Sequence, residues 1–281
     1  MKIQFTKMHG CGNDYVYING FTQKIPQEKK AEFVKKISDR HFGIGSDGAI
    51  FINPAIDADF EMEMYNADGS RSEMCGNGMR CVGKYVYDYG LTDKTEFTVV
   101  SAGKIKYLTL EIENGKAARI RVNMGNPILK PDLIPVTAQG EKVVDEPITV
   151  LGKEYRMTCV SMGNPHAVVF VDDVMAFPVN EIGPHFENHE RFPNRTNTEF
   201  VQIVDRNHIK MRVYERGTGE TLACGTGCCA SAVACVLNGL TDEAVDVEVL
   251  GGVVHIEWDR KEDLIYMTGP AETVFDGEIE Y

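Results

Sequence analysis

The sequence predicts an α+β fold of two homologous lobes, each a curved, mostly antiparallel sheet around a central helix, with the active site in the cleft between the lobes. Three observations predict it: a motif that occurs twice, an apolar helical stripe after each copy, and pairs of short strands after each stripe. The chain has 281 residues, of which 43% are apolar and 25% charged, the composition of a globular protein. This length suits one large domain or two medium-sized ones.

The repeated motif is Cys-Gly-x-Gly, which begins at Cys75 and again at Cys224, an offset of 149 residues. Met62–Tyr65 matches Met211–Tyr214 at the same offset. Because the other matches keep this order and their offset drifts by only two residues, they indicate an ancient duplication. The other matched pairs are Gly12-Asn13 with Gly163-Asn164, Asp47 with Asn197, Ser46 with Thr196, Gly90 with Gly239 and Gly103 with Gly252.

Helices are predicted after Pro26 and after each cysteine motif. Pro26 opens a helix whose apolar face includes Phe33 and Ile37. The stripe that follows Cys75 has the helical spacing of i, i+3, i+4 and i+7 and stops at Gly90. A similar stripe follows Cys224 and stops before Gly239.

Strands are predicted on both sides of each central helix. One strand precedes each motif, near Phe60–Tyr65 and Ile209–Tyr214. A hairpin follows each helix; its strands are Lys104–Ile112 and Ala118–Met124 in the first lobe, and Val253–Asp259 and Leu264–Met267 in the second.

The lobe boundary is predicted in the proline-containing stretch 127–150, which we expect to be a linker. The N-terminal lobe is therefore predicted to span 1–126, with 271–281 returning to it as an edge strand. The C-terminal lobe is predicted to span 127–270.

The net charge of −13 argues against nucleic acid or an anionic membrane as a partner, because both require a basic surface. No apolar run approaches the roughly 18 residues of a membrane-spanning helix, and the N-terminus lacks a signal-peptide core. We therefore expect a cytoplasmic protein. In that reducing compartment its eight cysteines are expected to pack in the core, bind a metal or act in catalysis.

Cys75 and Cys224 are the candidate catalytic residues, because each lies at a predicted helix start. The free N–H groups there suit a carboxylate, and the helix dipole favours a thiolate. We therefore expect the pKa of both thiols to fall from about 8.5 toward neutral.

The duplication gives this pair of thiols a chemical meaning. A pseudo-twofold axis would place Cys75 and Cys224 on either side of one substrate. A reaction that inverts a carbon bearing an acidic C–H needs a base on one face and an acid on the other. The backbone donors would also stabilise the enolate charge that develops on the carboxylate.

The other cysteines are expected to pack in the interior. A zinc site is a weaker alternative, because Cys224 and Cys228 have a suitable spacing but no second close pair completes four ligands. We therefore predict no metal. The cysteines assigned to packing are Cys11, Cys81, Cys159, Cys228, Cys229 and Cys235.

The sequence resembles the diaminopimelate epimerase family over nearly its whole length. The specific block is Asn66-Ala-Asp-Gly-Ser-Arg-Ser-Glu-Met-Cys75-Gly-Asn-Gly-Met-Arg80. Further landmarks are Met8-His-Gly-Cys-Gly-Asn-Asp14, Gly163-Asn-Pro-His166, Arg195-Thr-Asn197, Tyr214-Glu-Arg-Gly217 and Ala223-Cys-Gly-Thr-Gly227.

The resemblance implies an epimerase that uses no pyridoxal phosphate or other cofactor, interconverts LL- and meso-2,6-diaminopimelate, and serves lysine and peptidoglycan synthesis. It implies that Cys75 and Cys224 are the acid/base pair and that His166 and Glu215 support them, with Glu215 also meeting the reacting ammonium. It also implies a homodimer. The implied substrate-binding residues are Gly76, Asn77, Gly225 and Thr226 for the reacting carboxylate, and Asn13, Asn66, Asn164, Asn197 and Arg216 for the distal end.

One position departs from the family pattern. Many members carry Gln after the Asp of the Gly-x-Gly-x-Asp segment, whereas Gly48 follows Asp47 in this sequence. A glycine has no side chain that could donate to a ligand, so position 48 is left out of the predicted site.

Three alternative functions remain open at this stage. The nearest is another thiol-pair isomerase, such as a proline or hydroxyproline racemase. A thiol hydrolase with Cys224 or Cys75 as nucleophile and His166 as base is a different class, but it leaves the duplication unexplained. A non-catalytic amino-acid-binding protein is the third, and both cysteines would then be dispensable.

Overall fold

A computed structural model describes residues 2–72 and 75–281 of the chain. The chain divides into two compact units. The first is Met1–Val122 together with Gly269–Tyr281, and the second is Asn123–Thr268. The sequence places the corresponding boundaries after residues 126 and 270.

The first unit is a sheet with two helices against it. Its helices and strands are β1 (Lys2–Gly10), β2 (Asn13–Asn19), α1 (Gln27–Ser38), β3 (Gly48–Asn53), β4 (Phe60–Asn66), β5 (Arg71–Ser72), α2 (Gly76–Asp88), β6 (Glu96–Ser101), β7 (Lys104–Glu113), most of β8 (Lys116–Gly125), and, from the C-terminus, β18 (Glu272–Glu280).

The second unit has the same composition. After a 3-10 turn at Pro131–Leu133 it contains β9 (Glu146–Val150), β10 (Lys153–Ser161), β11 (Pro165–Phe170), α3 (Val179–Glu187), β12 (Asn197–Asp205), β13 (His208–Glu215), β14 (Gly219–Thr221), α4 (Gly225–Leu237), β15 (Ala244–Val249), β16 (Gly252–Asp259) and β17 (Leu264–Gly269).

The strands of the two units pair in the same order. In the first unit β2 pairs parallel with β3 and β4 parallel with β6, and the other pairings, including that of β18 with β1, are antiparallel. In the second unit β11 pairs parallel with β12 and β13 parallel with β15, and the others are again antiparallel. Each parallel pair is joined through a helix, as parallel strands require. The matching topology is what a duplicated unit predicts.

The central helix of each unit is the one that follows Cys-Gly-x-Gly. Helix α2 packs against β1, β2 and β7, and helix α4 packs against strands β10 to β13, β15 and β16. Most residues of both helices are buried, including Val82 and Val86 of α2 and Val233 of α4. The predicted helical stripes and the α+β fold are confirmed.

The stretch 127–150 was predicted as a linker, and that prediction is wrong. Ile134, Val136 and Val143 are buried, and they join the core of the second unit together with Ile148 and Val150. The prolines mark turns in this stretch, but its apolar residues bury too much surface for a free linker.

The six cysteines predicted to pack in the interior are all buried and form no disulfide, which confirms their assignment. Over the described residues, every helix is too short or too polar to cross a bilayer.

Candidate active site

The candidate residues of the first unit lie at and around the start of α2. Cys75 is the N-cap of this helix, with the extended backbone that a cap residue needs (φ −135°, ψ 114°). Its Sγ accepts a hydrogen bond from the backbone N–H of Gly78 at 3.3 Å. The predicted placement of Cys75 at a helix start is therefore confirmed, and its sulfur satisfies one of the free donors of the first turn.

Asn13 faces Cys75 from the beginning of β2. Its Oδ1 lies 3.1 Å from the Sγ of Cys75. On the other side of the same amide, Nδ2 donates to Oδ2 of Asp47 at 2.8 Å. Asn13 is one of the predicted substrate-binding residues, whereas no role is predicted for Asp47.

The other predicted residues of the first unit lie on the flanks of Cys75 or at the end of β4. Gly76 and Asn77 form the buried first turn of α2, which places their backbone N–H groups at the start of the helix. Asn66 ends β4, and its Nδ2 donates to Oγ of Ser70 at 3.0 Å within the following turn.

Gly48 is explained by its backbone. Its φ is +153°, and a Cβ at this position would lie 2.0 Å from the backbone oxygen of Tyr65. Only glycine fits such an approach. The family's glutamine therefore cannot be accommodated on the backbone of this chain, and the site has no side chain at position 48.

The candidate residues of the second unit lie at and around the start of α4. Cys224 is the N-cap, again with an extended backbone (φ −121°, ψ 109°), and it is only 6% exposed. Its Sγ lies 3.5 Å from Oγ1 of Thr226.

The pKa of Cys224 is raised well above its usual range, first by burial and then by the neighbouring carboxylates of Glu215 and Glu199. The prediction of a lowered pKa for this thiol is therefore wrong. Thr226 and the backbone N–H of Gly227 act to lower the pKa, as a helix start should, but burial and the two carboxylates outweigh them.

A series of hydrogen-bonded side chains connects Cys224 with Glu199. Thr226 accepts from Nδ2 of Asn164 at 3.2 Å, and Oδ1 of Asn164 lies 3.1 Å from Nε2 of His166. Nδ1 of His166 lies 2.7 Å from Oε1 of Glu199. The side chains of His166 and Glu199 are completely buried. The second oxygen of Glu199 has no hydrogen-bond partner within the described part of the chain.

Glu215 approaches Cys224 from the end of β13. Its carboxylate accepts from Oγ1 of Thr221 at 2.5 Å. Burial raises the pKa of Glu215, and hydrogen bonds from Thr221 and Cys224 act against that rise. An ionised carboxylate beside a thiol raises the pKa of the thiol, whereas a protonated carboxyl group can donate a hydrogen bond to the thiolate and lower that pKa.

Asn197 and Arg216 are tied together at the ends of β12 and β13. The backbone N–H of Arg216 donates to Oδ1 of Asn197 at 2.8 Å, and Nδ2 of Asn197 donates to the backbone oxygen of Pro165 at 2.9 Å. The exposed guanidinium of Arg216 donates to the backbone oxygen of Asn194 at 3.1 Å.

The structure thus brings together Cys75 with Asn13 in the first unit, and Cys224 with Thr226, Asn164, His166 and Glu215 in the second. Sequence reasoning missed two residues. Asp47 was visible as the last residue of Gly-Ile-Gly-Ser-Asp47, and Glu199 lies two residues after Asn197, which places both on one face of a strand.

Over residues 2–72 and 75–281, no three side chains of His, Cys, Asp or Glu are grouped so as to hold a metal ion.

The fold is shared with proteins of known structure. A phenazine biosynthesis protein of the PhzF family from Bacillus anthracis superposes with a TM-score of 0.73 at 17% identity, over 100% of both chains. A hydroxyproline epimerase from Agrobacterium vitis superposes with a TM-score of 0.68 at 15% identity, over 99% of this chain and 91% of that one. At such low identity these likenesses establish the two-lobe fold alone.

The family follows from sequence comparison. The diaminopimelate epimerase family model matches residues 5–130 and 158–274. A diaminopimelate epimerase from Agathobacter rectalis is 57% identical over 99% of both chains, and one from Acetivibrio thermocellus is 54% identical over 99% of both. The chain therefore belongs to the diaminopimelate epimerase family, and it is an enzyme of the isomerase class.

Proposed function

We propose that the enzyme interconverts LL- and meso-2,6-diaminopimelate by moving a proton between two cysteines, Cys75 and Cys224. One observation carries the proposal. In a chain of this family, each of the two units has a cysteine as the N-cap of its central helix. The reaction requires the two sulfurs to reach opposite faces of the same α-carbon.

The proton balance of the reaction is simple. One cysteine, as thiolate, takes the α-proton and becomes a thiol. The other, as thiol, gives its proton to the opposite face and becomes a thiolate. No proton or electron is gained or lost overall, so the chemistry needs no pyridoxal phosphate, other cofactor or metal.

The difficult step is the carbanion at the α-carbon, and helix starts suit its stabilisation. Backbone N–H groups of Gly76, Asn77, Gly225 and Thr226 lie in the first turns of α2 and α4. Such donors bind a carboxylate and stabilise the negative charge that spreads onto it in the transition state.

His166 and Glu215 would set the protonation of Cys224 in this scheme. Glu215 and Cys224 affect each other's pKa, and His166 is connected to Cys224 through Asn164 and Thr226. A substrate ammonium beside Glu215 would offset the carboxylate charges that raise the pKa of Cys224, so that the thiolate becomes accessible when substrate is bound.

Asn13, Asn66, Asn164, Asn197 and Arg216 would hold the distal, non-reacting end of the substrate. Neutral amides and one guanidinium match an amino-acid zwitterion, and arginine can grip its carboxylate with two donors. Fixing the far end decides which stereocentre reaches the thiols.

The biological setting also belongs to the proposal. The enzyme would act in the cytoplasm, in lysine and peptidoglycan-precursor synthesis, as a homodimer. Its two homologous lobes would be 1–126 with 271–281, and 127–270. Sedimentation equilibrium tests the dimer directly, and a monomer at micromolar concentration would contradict it.

The decisive experiment measures epimerisation in deuterated water. Incubation with LL-diaminopimelate should yield meso product carrying solvent deuterium at one α-carbon. Cys75→Ser and Cys224→Ser should each lower kcat by about 10²- to 10⁴-fold, the usual contribution of general acid–base catalysis. If either variant keeps a near wild-type rate, the two-base mechanism is wrong.

Cys235→Ala is the matched control, because Cys235 is buried on α4 but lies away from the helix start. It should retain activity within a few-fold. L-Proline and trans-4-hydroxy-L-proline are the competing substrates. Turnover of either one in preference to diaminopimelate would favour the racemase alternative.

A further inference from the structure

The amide of Asn13 connects two groups of different chemistry, the thiol of Cys75 and the carboxylate of Asp47. The Nδ2 of Asn13 lies 2.8 Å from Oδ2 of Asp47, and its Oδ1 lies 3.1 Å from Sγ of Cys75. A carboxylate only accepts hydrogen bonds, so the nitrogen side of the amide must face Asp47. The oxygen side must then face Cys75.

An amide oxygen also only accepts hydrogen bonds. The contact between Cys75 and Asn13 is therefore a hydrogen bond when the sulfur carries its proton, and a repulsive contact when the sulfur is a thiolate. The other orientation of the amide would reverse this preference, since Nδ2 would then donate to the thiolate.

Asp47 is itself held firmly. Its Oδ1 accepts from Arg40 at 2.9 Å, and its Oδ2 also accepts the backbone N–H of Asp14 at 3.1 Å. Backbone hydrogen bonds fix the residue on both sides, from its N–H to the oxygen of Asp14 and from the N–H of Ala67 to its own oxygen. The parallel pairing of β2 with β3 brings the starts of these strands together, which is why residues 34 positions apart meet.

We infer that Asp47 is a positioning residue: it fixes the amide of Asn13 so that Cys75 is held as a hydrogen-bond donor, the thiol, while the enzyme is free of substrate. This inference deepens the proposed function. It rests on one part of that proposal, namely that Cys75 is one of the two acid/base groups. A thiol is also much less reactive than a thiolate toward electrophiles and oxidants, so the free enzyme is protected at this position.

Two titratable side chains interact with Cys75. Tyr17 on β2 and Cys81 on α2 interact with its sulfur, but burial raises the pKa of Tyr17 well above its usual range and that of Cys81 to about 12. Both are therefore neutral near pH 7.

The charges behind Asn13 belong to one network. Lys7 and Arg40 pair with Asp14, and Arg40 also pairs with Asp47. Burial and the neighbouring Asp14 raise the pKa of Asp47, while hydrogen bonds from the N–H of Asp14 and from Asn13 act against that rise. Replacing Asp14 changes the charge of this network and leaves the contact of Asp47 with Asn13 in place.

The test is the rate at which iodoacetamide alkylates Cys75 in the full-length, substrate-free enzyme, followed by mass spectrometry of the peptide that contains it. Asp47→Asn lets the amide of Asn13 turn and donate to the thiolate. Alkylation at pH 7 should become about 5- to 10-fold faster, the value of one ordinary hydrogen bond, and its pH profile should move to lower pH. No change would overturn the inference.

Two further variants separate positioning from a loss of charge. Asp14→Asn removes a carboxylate of the same network and should change the rate by no more than about two-fold, because its charge is already paired with Lys7 and Arg40. In an Asn13→Ala background, Asp47→Asn should have almost no further effect, since its action passes through that amide. An equal effect of Asp14→Asn, or a full effect without the Asn13 amide, would overturn the inference.

Asn13→Ala alone covers the case in which Asp47→Asn fails to fold. It removes the acceptor of the Cys75 proton but leaves the ion pair of Asp47 with Arg40 in place. Alkylation should again be faster than in the wild type, and an unchanged or slower rate would contradict the inference. Because no substrate is present, these outcomes are independent of whether diaminopimelate is the substrate.

Discussion

Gly227 offers a steric test of the side chains grouped around Cys224. A Cβ at this position would lie 2.7 Å from Oε1 of Glu199, 3.2 Å from Cβ of Cys224 and 3.3 Å from its Sγ. In Gly227→Ala, the Glu199 oxygen must move by about 0.7 Å to reach an ordinary contact distance. This movement exceeds the roughly 0.5 Å range of normal N–H···O distances, so it is enough to break the 2.7 Å bond to His166.

The expected loss has two parts. Overpacking of this kind costs about 1–3 kcal/mol of stability, of which the better helix propensity of alanine restores up to about 1 kcal/mol. Displacing the groups around a catalytic thiol should lower kcat/KM by about 10- to 100-fold, since misplacements near 1 Å cost on that scale. The assay is the initial rate of diaminopimelate epimerisation, with the unfolding midpoint in urea measured on the same preparations.

The duplicated chain supplies its own control, because Gly78 occupies the equivalent position in α2. A Cβ there would meet Cδ1 of Ile50 at 2.7 Å, the far end of a flexible side chain, and would lie 3.4–3.6 Å from Cys75, an ordinary contact. Gly78→Ala should therefore lower kcat/KM by no more than about three-fold. Equal losses in the two variants, or full activity in Gly227→Ala, would refute the steric reasoning.

A double-mutant cycle then locates the cause of the loss. In a Glu199→Ala background the carboxylate that blocks the new methyl group is gone. Gly227→Ala should then cost much less than it does in the wild type, because residues in contact are not additive. Additive losses would mean that the methyl group acts through Cys224 alone.

Two further predictions concern the first unit. Burial tends to raise the pKa of Glu63, but hydrogen bonds from Lys30, Gln27 and Tyr65 outweigh it and bring the pKa down to about 2 from the usual 4.5. At 1.36 kcal/mol per pKa unit, this carboxylate contributes about 3 kcal/mol of stability above pH 4.5, which is lost as the pH falls from 4.5 toward 2. In urea unfolding, the gap between wild type and Glu63→Gln should therefore narrow over that interval, and a constant gap would contradict the assignment. Gly48→Gln, toward the residue of many relatives, should lower the unfolding free energy by at least about 2 kcal/mol, because a Cβ would lie 2.0 Å from the oxygen of Tyr65; thermal melting that matches the wild type would contradict this.

The features that the sequence predicted well depend on local periodicity. The helices after Cys75 and Cys224 follow from the spacing of their apolar residues, and the strand hairpins follow from alternation and turn residues. Such predictions can be made without knowing which helices and strands pack together. The same holds for the cysteines predicted to be buried, since they lie on apolar helix faces and strands.

The features that the sequence missed depend on neighbours distant in the chain. The expected lowering of the pKa of Cys224 took account only of its position at a helix start. In the folded chain, burial and the carboxylates of Glu215 and Glu199, which lie on other strands, raise this pKa. The packing of 127–150 was missed for the same reason, because a proline marks a turn whether or not the residues beside it are buried. The partnership of Asn13 with Asp47 depends on the register between β2 and β3.

The two units differ in the partners of their equivalent asparagines, Asn13 and Asn164, and this difference bears on the proposed chemistry. Asn13 is held by the carboxylate of Asp47 and turns its oxygen to Cys75, whereas its counterpart Asn164 turns its oxygen to His166 and its nitrogen to Thr226. Two thiols in identical surroundings would share one titration and could not be assigned opposite protonation states. An epimerase of the proposed kind needs one thiol and one thiolate at the same time. If the two cysteines act as proposed, the different partners of the asparagines, a carboxylate in one unit and an imidazole in the other, help to give the two acid/base groups unequal surroundings.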